Sequence, residues 1–256
     1  MGSEPEVIVE VEEPIAIIKL NRPHVLNAMT DAMMEMLLKK VQEVKADDRA
    51  RVVIITGMGR GFCAGSDIEE LATYSPDAAR HHAAMGAEIN AVIETMPKPV
   101  IAAINGPAVG GGFEMALACD IRIAARSARV GLPEVTLGSI TGAGGSFRIT
   151  RVVGSGVAKE LLFTGRLVDA EEAYRLTLVN RVVDDGRVLE ECRALALDLA
   201  GKSPTSLWLL KFLANKSFEI DWEVGMLLES LGNTQVATTK GFESGTRAFL
   251  QRRNKK

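Results

Sequence analysis

Two kinds of hydrophobic pattern alternate along the first 150 residues. Positions 7–11 place apolar and polar residues in turn, 15–20 is a largely β-branched run, and Asn21-Arg22-Pro23 ends it, which predicts a hairpin-like pair of strands. Met33, Met34, Leu37, Leu38, Val41 and Val44 then recur at helical spacing behind Thr30 or Asp31 as a cap, predicting a helix with one buried face. Residues 51–56 read as a short buried strand, and the loop after it is broken by Gly57, Gly59, Gly61 and Gly65.

The same order returns: a helix over about 77–96, a stop at Pro97-Lys98-Pro99, a strand over 100–104, the turn Asn105-Gly106 and a second glycine-rich loop at Gly110-Gly111-Gly112. A strand over 120–125 follows the helix that this loop opens. Such alternation predicts an α/β fold or a spiral β-β-α core. After Gly154 the pattern is mostly helical, most clearly over 188–200, 204–218 and 222–236, and no Pro- or Ser-rich linker sets this region apart.

Composition narrows the classes. The chain has 256 residues, 47% hydrophobic and 25% charged, with a formal net charge of −3. At this length roughly 70 to 75% of the unfolded surface is buried on folding, so the core needs neither disulfide nor metal. Cys63, Cys119 and Cys192 are odd in number and form no CxxC pair, which points to reduced thiols, a cytoplasmic location and no zinc site. No apolar run approaches the ~18 residues of a membrane span. Lys and Arg are scattered in a slightly acidic chain, which gives no reason to expect nucleic acid. His81 and His82 point about 100° apart on a helix and read as a solvated or partly packed pair. The run Gly142-Ala143-Gly144-Gly145-Ser146-Phe147 has Phe where a dinucleotide-binding loop needs its third glycine.

Candidate chemistry lies in the two glycine-rich loops. Gly110-Gly111-Gly112-Phe113-Glu114 enters a helix whose first amides lack intrahelical partners, and Phe62-Cys63-Ala64-Gly65-Ser66-Asp67 is a second strand-to-helix loop. One amide from each can converge on one oxygen, which is what an enolate formed beside a thioester requires. Glu114, one turn into the helix, and Glu134, in Gly131-Leu132-Pro133-Glu134, are candidate proton carriers. Spacing alone also allows each glutamate a helix-start role and each glycine cluster a turn or close-packing role.

These segments occur in an ordered series. Leu20-Asn21-Arg22-Pro23, the Phe62 to Ile68 loop, Pro99 to Gly106, Gly110 to Glu114, Cys119-Asp120-Ile121, Leu132-Pro133-Glu134-Val135-Thr136-Leu137-Gly138, Gly142-Ala143-Gly144-Gly145 and Leu162-Phe163-Thr164-Gly165 resemble the signature of the crotonase (enoyl-CoA hydratase/isomerase) family. The resemblance implies a catalytic spiral over 1–195 and a C-terminal helical region over 196–256 that closes the CoA cleft and forms homotrimers, often paired into hexamers. It places the oxyanion hole on the Ser66 and Gly111 amides, and the CoA cleft at Ala64, Gly65 and Ile68, with His24, Val25 and Arg252 near the pantetheine and phosphates. Glu114 and Glu134 fall on the two carboxylates of family hydratases. Together they imply an enoyl-CoA hydratase of fatty acid metabolism, adding water syn to a trans-2-enoyl-CoA, with no cofactor beyond the CoA of the substrate. Enoyl-CoA isomerisation is the alternative within the fold, and RNA binding the alternative of another class. Thr141 stands where the family usually has Pro, which leaves acyl-chain length open, and His24 and Arg252 stand where it often has Lys, which leaves the strength of CoA binding open.

Overall fold

Runs that alternate least are buried most. In a computed structural model that describes residues 4–253, the strands at Val52–Gly57 and Val100–Ile104 are buried at every position and lie at the centre of one sheet. The chain begins with β1 (Val7–Glu12), β2 (Ile15–Leu20), α1 (Asp31–Ala46), β3 (Val52–Gly57), α2 (Ile68–Leu71) and α3 (Pro76–Thr95). It continues with β4 (Val100–Ile104), β5 (Ala108–Val109), α4 (Gly111–Ala118), β6 (Ile121–Ala125) and β7 (Arg129–Gly131). The remainder holds α5 (Gly145–Val153), α6 (Ser155–Thr164), β8 (Val168–Asp169), α7 (Ala170–Arg175), β9 (Arg181–Val183), α8 (Val188–Ala200), α9 (Pro204–Lys216), α10 (Trp222–Ala237) and α11 (Lys240–Arg253).

The larger sheet runs β1-β2-β3-β4-β6-β9, with β1 and β2 antiparallel, as the hairpin pattern predicts, and every later pair parallel. A smaller sheet runs β5-β7-β8, and Cys63 extends it through a parallel bridge to Ala108. Each of β3, β4 and β6 therefore passes from the large sheet to the small one, the first two then entering α2 and α4. This is the expected spiral of β-β-α turns.

Thr30 caps α1 by accepting the Met33 N–H at 3.2 Å. The inward stripe of α1, Met33, Met34, Leu37, Val41 and Val44, matches the predicted spacing, and the edge of α3 at Thr95 falls one residue before the expected end.

The region after Gly154 is less purely helical than its pattern suggests. β9 supplies the sixth strand of the main sheet by pairing Arg181, Val182 and Val183 with Ile123, Ala124 and Ala125. Three residues are too few to display a period of two. The division expected at 195/196 falls inside α8, whose buried residues Val188, Cys192, Ala196 and Ala200 form one unbroken ridge four residues apart against the sheet. Beyond it, Lys211 ties α9 to the core: its ammonium donates to the Ile93 carbonyl at 3.0 Å, the Lys98 carbonyl at 3.1 Å and the Asp120 carboxylate at 2.8 Å. Burial pushes the Asp120 carboxyl up, and Lys211 opposes that shift.

The three cysteines are free and buried, and burial pushes each thiol up to about 12. Cys63 also packs directly against α4. A Cβ on Gly112 would overlap the Cys63 carbonyl oxygen and lie 2.7 Å from the Cys63 Cβ. Gly112→Ala is accordingly expected to cost about 1 to 3 kcal/mol, the range for overpacking a rigid contact, measurable as a lower urea midpoint.

Candidate active site

A cavity of about 670 Å³ opens between α1, α3, α4 and the two glycine-rich loops. Met29, Met34, Leu37, Ile89 and Met115 give it apolar walls, while Ser66, His82, Glu114 and Glu134 bring polar groups to it.

The two loops meet backbone to backbone. Gly65 has φ +95°, and a Cβ there would stand 2.8 Å from the Val109 carbonyl oxygen and 3.3 Å from the Gly111 nitrogen. Ser66 bridges Met29 in parallel: the Met29 N–H donates to the Gly65 carbonyl and the Asp67 N–H to the Met29 carbonyl, both at 2.8 Å. That pattern turns the Ser66 N–H to the opposite side. Gly111 is the first residue of α4, so its N–H has no carbonyl within the helix to bond. Among the described residues, neither amide is donated to an acceptor in the chain. Two backbone donors without acceptors therefore stand on adjoining loops that both line the cavity.

The carboxylates flank this point. A Cβ on Gly110 would lie 3.4 Å from Glu134 Oε1, and one on Gly111 3.9 Å from Glu114 Oε2. Glu114 is 3% exposed, and its Oε1 accepts the N–H groups of Ala143 at 2.9 Å and Gly145 at 2.8 Å. Its Oε2 faces the glycine loop. The 141–145 loop that supplies those amides is itself held: the Ala143 carbonyl accepts from Asn90 at 3.0 Å and Arg148 at 2.8 Å, and Thr141 Oγ1 accepts the Ser146 N–H at 3.2 Å. That last bond gives Thr141 a role in the turn that Pro has no hydroxyl to fill.

Glu134 is less constrained. It opens a short 3-10 turn, Glu134–Leu137, and its buried Oε2 has no hydrogen-bond partner among the described residues. Burial pushes its carboxyl up to about 7, the Glu114 carboxylate adds to the shift, and its own backbone N–H opposes it. Between the usual value of 4.5 and about 7 the folded chain holds a proton that the unfolded chain has released. The stability this contributes is fully present below the lower value and is lost as pH rises through the upper one. Glu134→Gln does not ionise, so its stability relative to the native chain is expected to rise by about 1 to 2 kcal/mol from pH 5 to pH 8, after allowance for solvent screening. Paired thermal melts at the two pH values measure it.

Ala64, Gly65 and Ile68 line the cavity, as expected of a CoA cleft. His24 and Val25 are exposed on the turn Pro23–Val25 outside the cavity lining, although that turn adjoins the cleft where the Ala64 N–H donates to the Leu26 carbonyl at 2.9 Å. The side chain of Arg252 lies outside the described residues. His81 is exposed, but His82 is turned inward, its side chain only 12% exposed, and it bonds Ser66 and Asp31. Of the solvated or partly packed pair that the sequence predicts, His81 is therefore the solvated member and His82 the packed one. Its spacing of three, seven and eleven residues from Met85, Ile89 and Ile93 marks the buried face of α3 and was the available signal.

Comparisons with known proteins agree with this geometry. The sequence profile of the enoyl-CoA hydratase/isomerase family matches residues 10–256. The chain is 39% identical over 242 residues to the putative enoyl-CoA hydratase/isomerase YngF of Bacillus subtilis, covering 94% of this chain and 93% of that one. It is 39% identical over 248 residues to a crotonyl-CoA hydratase of Syntrophomonas wolfei, covering 96% and 95%. The crystal structure of an enoyl-CoA hydratase from Bacillus anthracis superposes with a TM-score of 0.93 at 38% identity, covering 96% of both chains. With two orphan amides and two carboxylates at the positions its motifs mark, and a profile match that runs nearly end to end, this chain belongs to the enoyl-CoA hydratase/isomerase family.

Proposed function

We propose that the chain is an enoyl-CoA hydratase that adds water across the 2,3 double bond of a trans-2-enoyl-CoA. The observation that carries this reading is the meeting, on one cavity, of two unpaired amides with two carboxylates, one of them held near neutral pKa. The thioester oxygen sits between the Ser66 and Gly111 N–H groups, which stabilise the negative charge it gains when a water oxygen bonds to C3. Glu114 Oε1 is fixed by two amides, so Oε2 is the oxygen left to orient that water. The proton lost by water and the proton gained at C2 pass through the Glu114–Glu134 pair, which ends the cycle with the number of protons it began with. Glu134 suits this exchange because a group near 7 gives and takes a proton with almost equal ease at neutral pH.

The reaction calls for no cofactor, CoA being part of the substrate. The apolar cavity walls suit a hydrocarbon acyl chain and are compatible with fatty acid metabolism. Exposed apolar side chains on the C-terminal helices, including Leu210, Trp222, Leu227, Leu231 and Phe249, support a homotrimer or a dimer of trimers. Among the described residues no helix is long and apolar enough to cross a membrane, and free buried thiols are compatible with the cytoplasm.

The test is loss of the conjugated-enoyl absorbance of crotonyl-CoA on mixing with the purified protein, with a product heavier by one water. Absence of turnover with crotonyl-CoA and with longer, branched and cyclic enoyl-CoAs overturns the hydratase reading in favour of isomerisation.

A further inference from the structure

Hydration uses the Ser66 amide and has no use for the Ser66 hydroxyl, yet that hydroxyl is part of an ordered chain of hydrogen bonds. Ser66 Oγ lies 2.7 Å from His82 Nε2, and His82 Nδ1 lies 2.6 Å from Asp31 Oδ1. The Tyr74 hydroxyl donates to the same Asp31 oxygen at 2.8 Å. Burial disfavours the ionised Asp31, but the bonds from His82 and Tyr74 outweigh it and hold the carboxyl below its usual value. Asp31 Oδ1 against Nδ1 orients the ring so that Nε2 is the nitrogen presented to the Ser66 hydroxyl. Nucleophile, base and orienting carboxylate then stand in sequence, brought together from the loop before α2, from α3 and from the first turn of α1.

Placement distinguishes this set from an ordinary polar cluster. Ser66 and His82 line the cavity together with Glu114 and Glu134, while Asp31 stands behind them outside the lining. The residue that carries the hydroxyl also carries one of the two unpaired amides, an economy shared with serine hydrolases, in which the nucleophilic residue's own N–H helps hold the oxyanion. A carbonyl oxygen held by that amide brings the carbonyl carbon beside Oγ.

We propose that Ser66, His82 and Asp31 form a nucleophilic relay that hydrolyses acyl-CoA thioesters, a second reaction of the cavity that rests on the acyl-CoA reading above. Ser66 Oγ bonds to the thioester carbon as its proton passes to His82 Nε2. The C–S bond then breaks, and the CoA sulfur leaves with that proton as the free thiol. Water gives a proton to His82 and attacks the acyl-Ser66 ester, whose C–O bond breaks as His82 returns the proton to Oγ. Acyl-CoA and water become a carboxylic acid and CoA. Asp31, outside the cavity lining, positions the base, and Tyr74 holds Asp31 from the cavity wall.

The experiment uses butyryl-CoA, which has no double bond to hydrate, with free CoA read by a thiol reagent and the Ser66 peptide weighed after acid quench. An alkyl fluorophosphonate, which esterifies activated serines, provides a second probe on the unaltered protein. The expected result is CoA release, butyrylation or phosphonylation at Ser66, and a fall in release of about 100-fold or more in Ser66→Ala and His82→Gln at unchanged melting temperature. A protein that hydrates crotonyl-CoA but neither releases CoA from butyryl-CoA nor takes either label at Ser66 overturns the relay and leaves the hydratase reading intact. CoA release that persists in His82→Gln overturns it as well. Labelling of Ser66 in a protein inert towards every enoyl-CoA supports the relay and removes the hydratase reading instead.

Discussion

Glu134→Gln is expected to lower kcat for crotonyl-CoA hydration by about 10³-fold or more, with a comparable loss in Glu114→Gln, because each amide keeps the shape of the side chain and removes its ability to exchange a proton. The two variants differ in how much else they disturb. Glu134 Oε2 has no partner to lose, so its replacement isolates the chemistry. Glu114 Oε1 accepts from Ala143 and Gly145, and an amide turned the wrong way would set N–H against N–H and loosen the 141–145 loop. The double variant is expected to be little worse than either single one, since protons pass through the pair as a unit. Steady-state rates beside thermal melts check all three, and a loss of less than tenfold in either single variant places that carboxylate outside the reaction.

The second large effect comes from the backbone. Gly111→Pro removes one N–H from the proposed oxyanion hole, and the expected loss in kcat is about 10²-fold or more, the low end of the range for one such donor being the minimum. Proline is tolerable there for three reasons. Gly111 is the first residue of α4, a favoured proline position; its N–H has no acceptor in the chain to lose; and a Cβ there meets nothing nearer than 3.4 Å. Gly110 before it has φ 54° and ψ −129°, the mirror image of the extended conformation that precedes proline well. A melting temperature close to native with a collapsed kcat places the cause at the Gly111 nitrogen, where the proline ring both removes the donor and fills the space of the oxygen it would hold. Native turnover from this variant removes Gly111 from the oxyanion hole.

Much of this arrangement was legible in the sequence because the residues concerned announce themselves by type or spacing. The β-branched runs that became β2, β3 and β4 have no polar face to hide, and the stripe along α1 repeats every three or four residues over four turns. The glycines at 110–112 and the motif around Glu134 were visible as chemistry of the loops. What remained hidden depends on contacts distant in sequence. β5, β7, β8 and β9 are two or three residues long and exist as strands only because partners pair with them. Asp31 read as a helix start and His82 as one of a solvated or partly packed pair, and only the packing of α3 against α1 joins them through 51 positions of chain.

The buried thiols described with the fold also set how the protein behaves in its chemical surroundings. With each thiol near 12, only about one in 10⁵ is ionised at pH 7, and none is at the surface. Free CoA is itself a thiol, and exchange between thiols and disulfides begins with an accessible thiolate. Cys63 belongs to the same loop as Gly65 and Ser66, with its thiol donating to the Asn27 carbonyl at 3.2 Å and its backbone against Gly112, so the added bulk of a mixed disulfide there would push this loop away from α4. Its burial therefore lets the folded protein turn over a thiol cofactor's esters in the presence of oxidised thiols without being inactivated by them.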